Sequence, residues 1–305
     1  IKAQKVRLNK FEKHKDIIGN YWEHILDFGR MPTTSEFDHY PIIASVFGSQ
    51  KKGFEEAINL FGKDGYQEAR KNRIDDLRVY FALSMFEQRK PYKNMPDSLQ
   101  RDVKEFFGKY TNGVAQSRNL LFSVGKPEVI QQACEEYHKN EKVGFIYENH
   151  SYQFHVSEVE NLPPELKIYI ACASRLYGDV QNVDLIKIHF NSGKLTLLSY
   201  IDFKKSPLPD LKQRIKINLK TQQISFFDYG DRYPYQPLYL KSNFIRDSFT
   251  NYKKQMKFDE KLVDKKLFDL CGFGPPKEIF NEVLLKEQLE VKNWEIVVKR
   301  KTNIK

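Results

Sequence analysis

The stretch DLIKIHFNSGKLTLLSYIDF (residues 184–203) decides the fold. Two runs of alternating apolar and polar residues flank Asn-Ser-Gly-Lys, a hairpin signal. With Ser192 and Gly193 as a two-residue tip, Asn191 faces Lys194 and Phe190 faces Leu195. Side chains alternate along a strand, so Ile186, Ile188, Phe190, Leu195, Leu197 and Ile201 share one face, which must be the core side. The opposite face receives Lys187, His189, Thr196 and Tyr200. RIKINL (214–219) repeats the pattern, with Ile215, Ile217 and Leu219 on the apolar side and Arg214, Lys216 and Asn218 opposite. In one sheet, these strands gather three cations, a His and a Tyr on one surface. Lys204, Lys205 and Lys212, in the connection, extend it. Such a surface is either a solvated sheet face or an anion-binding one, with Lys187 and Arg214 on phosphates and Tyr200 stacking or hydrogen-bonding.

Outward from this hairpin, VGFIYE (143–148) and YQFHV (152–156) read as two strands around a turn at Asn149 and His150. LPPELKIYIACASRLYG (162–178) reads as a helix with proline at its opening and glycine at its close. QISFFDY (223–229) adds a strand, and PYQPLYL (234–240) either extends the sheet or forms a loop. Two or three helices are expected, roughly at 243–256, 259–271 and 276–288, then a strand at WEIVVKR (294–300) and a basic tail. Before residue 142 the spacing is helical throughout: 16–29, 40–49, 51–62, 66–89, 98–125 and 127–140, with a further helix start at TTSEF (33–37). There Thr33 or Thr34 would cap and Glu36 would answer it. The expected fold class is therefore α+β. A helical domain (1–141), with a helix-turn-helix-like segment at 17–62, precedes an α+β domain (142–305) built on an antiparallel sheet.

Composition narrows the partners. The 305 residues are 40% hydrophobic, with 23 Phe and 17 Tyr, which is ample for a packed core. Lys and Arg number 50 against 40 Asp and Glu, a net charge of +10 that points to an anionic partner. No apolar run approaches the roughly 20 residues that cross a bilayer, so no membrane partner is expected. Cys134, Cys172 and Cys271 are too sparse for a disulfide framework, and reduced thiols in the cytoplasm are the simplest reading. The chain starts with Ile and no signal peptide, which suggests either missing first residues or the C-terminal part of a longer protein. No glycine-rich phosphate loop occurs, and His14, His24, His39, His138, His150, His155 and His189 show no metal-ligand spacing. No cofactor or metal is expected in this chain.

The run ILDFGRMPTTSEFDHYPIIASVFGSQKKGFEEAINLFG (25–62) resembles small helix-turn-helix repeats that accompany some homing-type endonucleases and helicases. The matching positions are Gly29, Pro32, Thr33, Glu36, Phe37, Phe47, Gly48, Ser49 and Ala57. The resemblance implies a buried Phe47, with Lys51 and Lys52 at a helix start near phosphates, where free N–H groups suit an anion. The same turn also serves in bundles that bind no DNA.

Over roughly residues 20–300 the chain resembles the C-terminal half of the bacterial DNA phosphorothioation-associated putative methyltransferases. The resemblance is carried by FGRMPTTSEF (28–37), FGSQKKGFEEAINLF (47–61), RIDDLRVYFALSMFEQRKPY (73–92), LPPELKIYIACASRLYG (162–178), LIKIHF (185–190), LTLLSYIDFKKSPLPDL (195–211) and FFDYG (226–230). It implies an S-adenosylmethionine-binding domain upstream of this chain and a DNA-modification or defence setting. DNA is the implied partner, with other phosphorothioation proteins as further ones. The expected function is DNA or partner binding without the methyl-donor site. The alternative is a catalytic site within the α+β half that acts on nucleic acid.

Overall fold

In the computed structural model, which describes residues 11–86, 91–178, 182–270 and 272–299, the chain divides into two compact units, 1–121 and 122–305. The division lies ahead of the change from helical to strand sequence at 141/142. The helix at 127–141 therefore belongs with the sheet.

The first unit is helical. Helix α1 (Lys15–Phe28) buries Ile18, Tyr21 and Ile25 along one stripe. Gly29 ends it at φ +59, and a Cβ there would stand 2.9 Å from Arg70 Cα, so only glycine admits the neighbouring backbone. TTSEF does not start a helix, contrary to expectation. Glu36 Oε2 accepts from the Thr33 N–H (2.9 Å) and the Thr33 hydroxyl (3.0 Å), but Arg30 also holds that carboxylate in a fork at 2.8 and 2.9 Å. The segment stays a turn, and α2 begins at Tyr40 (Tyr40–Phe47). Helices α3 (Gln50–Phe61) and α4 (Lys63–Leu83) follow. Phe47 packs in a core with Ile18, Tyr21, Phe37 and Ile43, as the helix-turn-helix reading requires. The expected helix at 98–125 is two, α5 (Asp97–Phe107) and α6 (Tyr110–Ser123), parted by Gly108 at φ +70.

Beneath these helices lies a buried charge network. Asp102, fully buried, accepts from Arg30 Nε at 2.6 Å and from Arg73 at 2.6 and 3.1 Å. Arg30 thus ties the turn after α1 to α5, while Arg73 ties α4 to it.

The second unit opens with α7 (Pro127–Glu141). Strands β1 (Phe145–Tyr147), β2 (Ser151–His155), β3 (Leu185–His189), β4 (Lys194–Tyr200), β5 (Leu211–Asn218) and β6 (Gln223–Asp228) form one antiparallel sheet in sequence order. Helix α8 (Pro164–Tyr177) interrupts the run between β2 and β3. Helices α7 and α8 cover the face that carries Tyr152, Phe154, Ile186, Ile188, Leu195, Leu197, Ile215 and Ile217, all buried.

The hairpin register differs from expectation. Ile188 faces Leu195 and Ile186 faces Leu197, so the connection runs from Phe190 to Gly193, longer than a Ser192–Gly193 tip by Phe190 and Asn191, both taken from the end of β3. The pairing has moved by an even step, so every side chain keeps its face. Ile201 is the exception. It lies beyond a β-bulge, where Ser199 faces Gln213 but Tyr200 faces Leu211, and it is 38% exposed rather than in the core.

The C-terminal part also departs from the sequence reading. The expected helices 243–256 and 259–271 are replaced by a single-turn 3-10 segment (Lys241–Phe244) and one helix, α9 (Tyr252–Asp264), which starts after Asn251 in the left-handed region at φ 66. Helix α10 (Lys277–Lys286) is followed by a separate hairpin, β7 (Leu289–Lys292) and β8 (Glu295–Val298). β7 was not foreseen. PYQPLYL is a loop bridged to the sheet end at Asp210 and Pro237. Cys271 and the basic tail from 300 onward lie outside the described residues.

Hydrogen bonds from Arg30, opposed by burial and helped by Thr33, hold the Glu36 carboxyl at about 2. A carboxyl depressed in the fold stabilises it above its unfolded value and loses that contribution as pH falls through the folded one. The first unit is therefore expected to weaken as pH drops from about 5 to about 2, and Glu36→Gln to flatten that dependence, in denaturant titrations at neutral and acid pH. Asp102→Ala removes the carboxylate that Arg30 and Arg73 share, but Arg30 keeps its fork to Glu36 and Arg73 is partly exposed, so the expected cost by the same measurement is about 1–3 kcal/mol.

Candidate functional site

The sheet face opposite α7 and α8 is built in cross-strand rows. One row runs Phe145, Gln153, Lys187, Thr196, Lys216, Ser225. A second runs His155, Leu185, Leu198, Arg214, Phe227. This face is not uniformly polar. Leu185 and Leu198 share the parity of Lys187, and with Phe203, Leu211, Leu238, Phe244 and Ile245 they make a second core. The bulge leaves Lys212 without a partner on β4 and turns Leu211 towards this face, where it meets Tyr200 and seals one end.

Between that core and the β1 edge lies a cavity of about 630 Å³. Its lining includes Phe145, Tyr147, Gln153, Tyr200, Tyr239 and Phe273. Phe273 reaches it from the turn 272–274. Gly274, at φ +67, lies so close to the Tyr239 ring that a Cβ would come within 2.5 Å of it. Tyr147 has its hydroxyl pushed up to about 12 by burial.

Lys187 is 8% exposed, with its ammonium 3.9 Å from the Tyr147 ring centroid and 5.3 Å from that of Phe273. Burial first, then the charges of Arg214 and Lys216, lowers its pKa to about 8. Gln153, beside it in the row, is 2% exposed, and its Oε1 has no hydrogen-bond partner. Leaving such an acceptor dry costs about 1–3 kcal/mol.

Towards β6 the face opens. The Arg214 guanidinium lies 4.6 Å over the Phe227 ring and 5.7 Å over Tyr229, with its Nε unpartnered. The Lys216 ammonium lies 5.2 Å over Phe227, and burial with the charges of Arg214 and Lys194 depresses its pKa. Tyr233, packed on Phe227 and Tyr229, is 42% exposed.

The expected site residues thus separate into groups. Lys187, His189, Arg214 and Lys216 share this face. His189 Nε2 lies 3.0 Å from Thr196 Oγ1, and burial followed by Lys187 and His150 lowers its pKa to about 4. Tyr200 is half-buried in the cavity wall beside the bulge, its hydroxyl pushed up by burial. Lys204 and Lys205 are exposed on the turn after β4. Lys204 lines a different, polar opening, with Asp184, Lys212 and Asp228. Lys51 and Lys52 are exposed at the start of α3, in the other unit. There the Ser49 hydroxyl accepts the Lys52 N–H at 3.1 Å, occupying a donor that the phosphate reading uses.

Lys194, Gln153, Tyr147, Phe227, Tyr229 and Phe273 were missed. Lys194 and Gln153 were open to parity, since Lys194 alternates with Thr196 and Gln153 faces Lys187. Phe273 carries no such signal, because a turn far along the chain brings it in. Among the described residues no group of His, Cys, Asp and Glu could hold a metal ion, and no helix is long and apolar enough to cross a membrane. No family model, no curated protein and no solved structure matches the chain.

A lysine depressed in the fold binds fewer protons there than in the unfolded chain between its two pKa values, so stability rises with pH across that window. From about 8 to 10.5 the wild type is expected to gain up to about 3 kcal/mol relative to Lys187→Met. Denaturation midpoints of both proteins at pH 7 and pH 10 check this.

Proposed function

We propose that the sheet unit binds single-stranded nucleic acid across this face. The observation that carries the reading is the set of cations held directly over aromatic rings. Arg214 and Lys216 stand over Phe227, and neither forms an ion pair among the described residues. A strand needs those two things together, cations for its phosphates and ring faces for its bases. Lys194 extends the positive edge, and Tyr233 supplies an exposed ring. The rest of the chain's excess of basic residues favours encounter with a polyanion.

The setting we propose is DNA modification, on the resemblance of segments 28–37, 47–61, 73–92, 162–178, 185–190, 195–211 and 226–230 to the phosphorothioation-associated putative methyltransferases. In that setting DNA is the partner, in the cytoplasm, with other proteins of the phosphorothioation system alongside. The methyl donor, S-adenosylmethionine, is held by a separate domain. Lys51 and Lys52 would add a further phosphate contact from the helical unit.

The test is anisotropy titration of short single-stranded and duplex DNA, with and without phosphorothioate linkages, over a salt series. The single strand is expected to bind more tightly. Arg214→Ala with Lys216→Ala is expected to weaken binding and to flatten the salt slope by about 0.7 per lost phosphate contact. Unchanged affinity and slope in that folded double variant would make the face structural. A change confined to Lys51→Ala with Lys52→Ala would move the interface to the helical unit.

A further inference from the structure

The cavity beside Lys187 has a lining unlike the rest of the sheet face. Phe145, Tyr147 and Phe273 present rings to it, and a buried amide stands among them. Gln153 is 2% exposed, yet its Oε1 accepts no hydrogen bond. Buried acceptors are almost always paired, and one that is not points to a donor that arrives from outside. Next to it in the same row is the Lys187 ammonium, 3.9 Å from the Tyr147 ring centroid. No hydrogen-bond acceptor meets that ammonium among the described residues. The lining therefore offers ring faces, the amides of Gln153, Gln236 and Asn243 and the Glu148 carboxylate, with the Lys187 ammonium against the Tyr147 and Phe273 rings that line it. Its complement is a flat, heteroaromatic molecule with an N–H donor beside a carbonyl or ring-nitrogen acceptor.

We infer that this cavity takes a single unpaired nucleobase, turned out of the strand that lies on the open part of the face. This deepens the nucleic-acid reading and rests on it. Nucleobases combine a π surface with adjacent donors and acceptors, and an amide side chain pairs with such an edge. The base's N–H goes to Gln153 Oε1, and its acceptor faces Lys187. Tyr147 and Phe273 supply the stacking. Arg214 and Lys216, further along the face, hold the phosphates on the neighbouring part of the strand. A volume of about 630 Å³ holds a nucleoside with room to spare, so the sugar also fits within the mouth. Extrusion costs little where the strand is already single.

Two measurements separate this inference from the reading beneath it. In the first, a short single-stranded DNA and an abasic deoxyribose-phosphate oligomer of the same length are titrated by anisotropy. The titrations use wild type, Gln153→Leu and the Arg214→Ala, Lys216→Ala double variant. Gln153→Leu replaces an unpaired acceptor by an apolar group of similar size, so its melting temperature is expected to hold or rise. Its affinity for the DNA is expected to fall on the order of tenfold, with the salt slope unchanged and binding of the abasic oligomer unaffected. In the second, the free deoxynucleosides are titrated by saturation-transfer NMR. Contacts are expected with wild type and are lost in Gln153→Leu. Should Gln153→Leu fail to fold, Phe273→Ala, at a ring that is 55% exposed, takes its place in both arms. DNA binding that Gln153→Leu leaves unaltered, with no nucleoside contact, overturns the base pocket and leaves the sheet reading standing. Nucleoside contact without DNA binding keeps the pocket and removes the strand. Absence of both overturns both.

Discussion

Lys187 has to give up most of its water for the sheet to form. The antiparallel register places it between Gln153 and Thr196, on strands buried on both faces. Transfer of an ammonium from water is costly, and here no carboxylate meets it. The charge is offset instead by the faces of Tyr147 and Phe273, so the edge strand β1 and the turn 272–274 are both drawn to the same nitrogen. Arg214 and Lys216 then add like charge from the neighbouring strand. The consequence is a poorly hydrated ammonium against the rings of a recess that Glu148 also lines, where an incoming acceptor is worth more than it would be in water.

Lys241 shows what a settled buried lysine looks like in the same unit. It is 1% exposed, and burial lowers its pKa to about 8, as it does for Lys187. Its ammonium, however, donates to Phe203 O at 2.8 Å and Ser206 O at 2.5 Å, and it lies over Trp294. Those bonds fasten the turn after β4 to the segment before α9. Asp259, itself buried, accepts the Ser242 N–H at 2.8 Å and the Gln255 side chain at 2.8 Å, completing the clasp. Glu158 does the same elsewhere, held by Arg246 and by the Tyr137 hydroxyl at 3.0 Å. Lys241, Asp259 and Glu158 each have partners supplied by the chain, while the Oε1 of Gln255 within the clasp has none.

Much of the fold was legible because alternation survives an even error. The hairpin tip was misplaced, but pairing moved by two residues, so Ile186, Ile188, Leu195 and Leu197 kept the core face and Lys187 the other. Alternation failed at the bulge, where one extra residue of β5 reverses that strand's parity and takes Leu211 inward, and at Ile201, which lies past the end of β4 and is exposed. The second core was also readable in principle. Leu185 and Leu198 interrupt the polar face, and two leucines there imply a cover. What provides that cover was not readable, since segment 236–245 and the turn at 272–274 reach the sheet through long-range packing. The helices expected at 243–271 failed for a local reason: Asn251 adopts the left-handed region and restarts the chain as one helix.

The contrast between the two lysines bears on how the cavity is understood. Burial alone does not separate a fastening from a binding group, because both nitrogens are desolvated and both pKa values fall to about 8. Satisfaction separates them. Lys241 has two carbonyls within hydrogen-bond range, whereas Lys187 has ring faces only, and its row neighbour Gln153 keeps an acceptor unpaired. Two adjacent groups of opposite hydrogen-bonding sense, each lacking a partner, could have been exchanged for apolar residues at no loss to the fold, and a purely structural role would favour that exchange. Kept side by side in a ring-lined recess, they pair with a ligand that carries a donor and an acceptor on one edge.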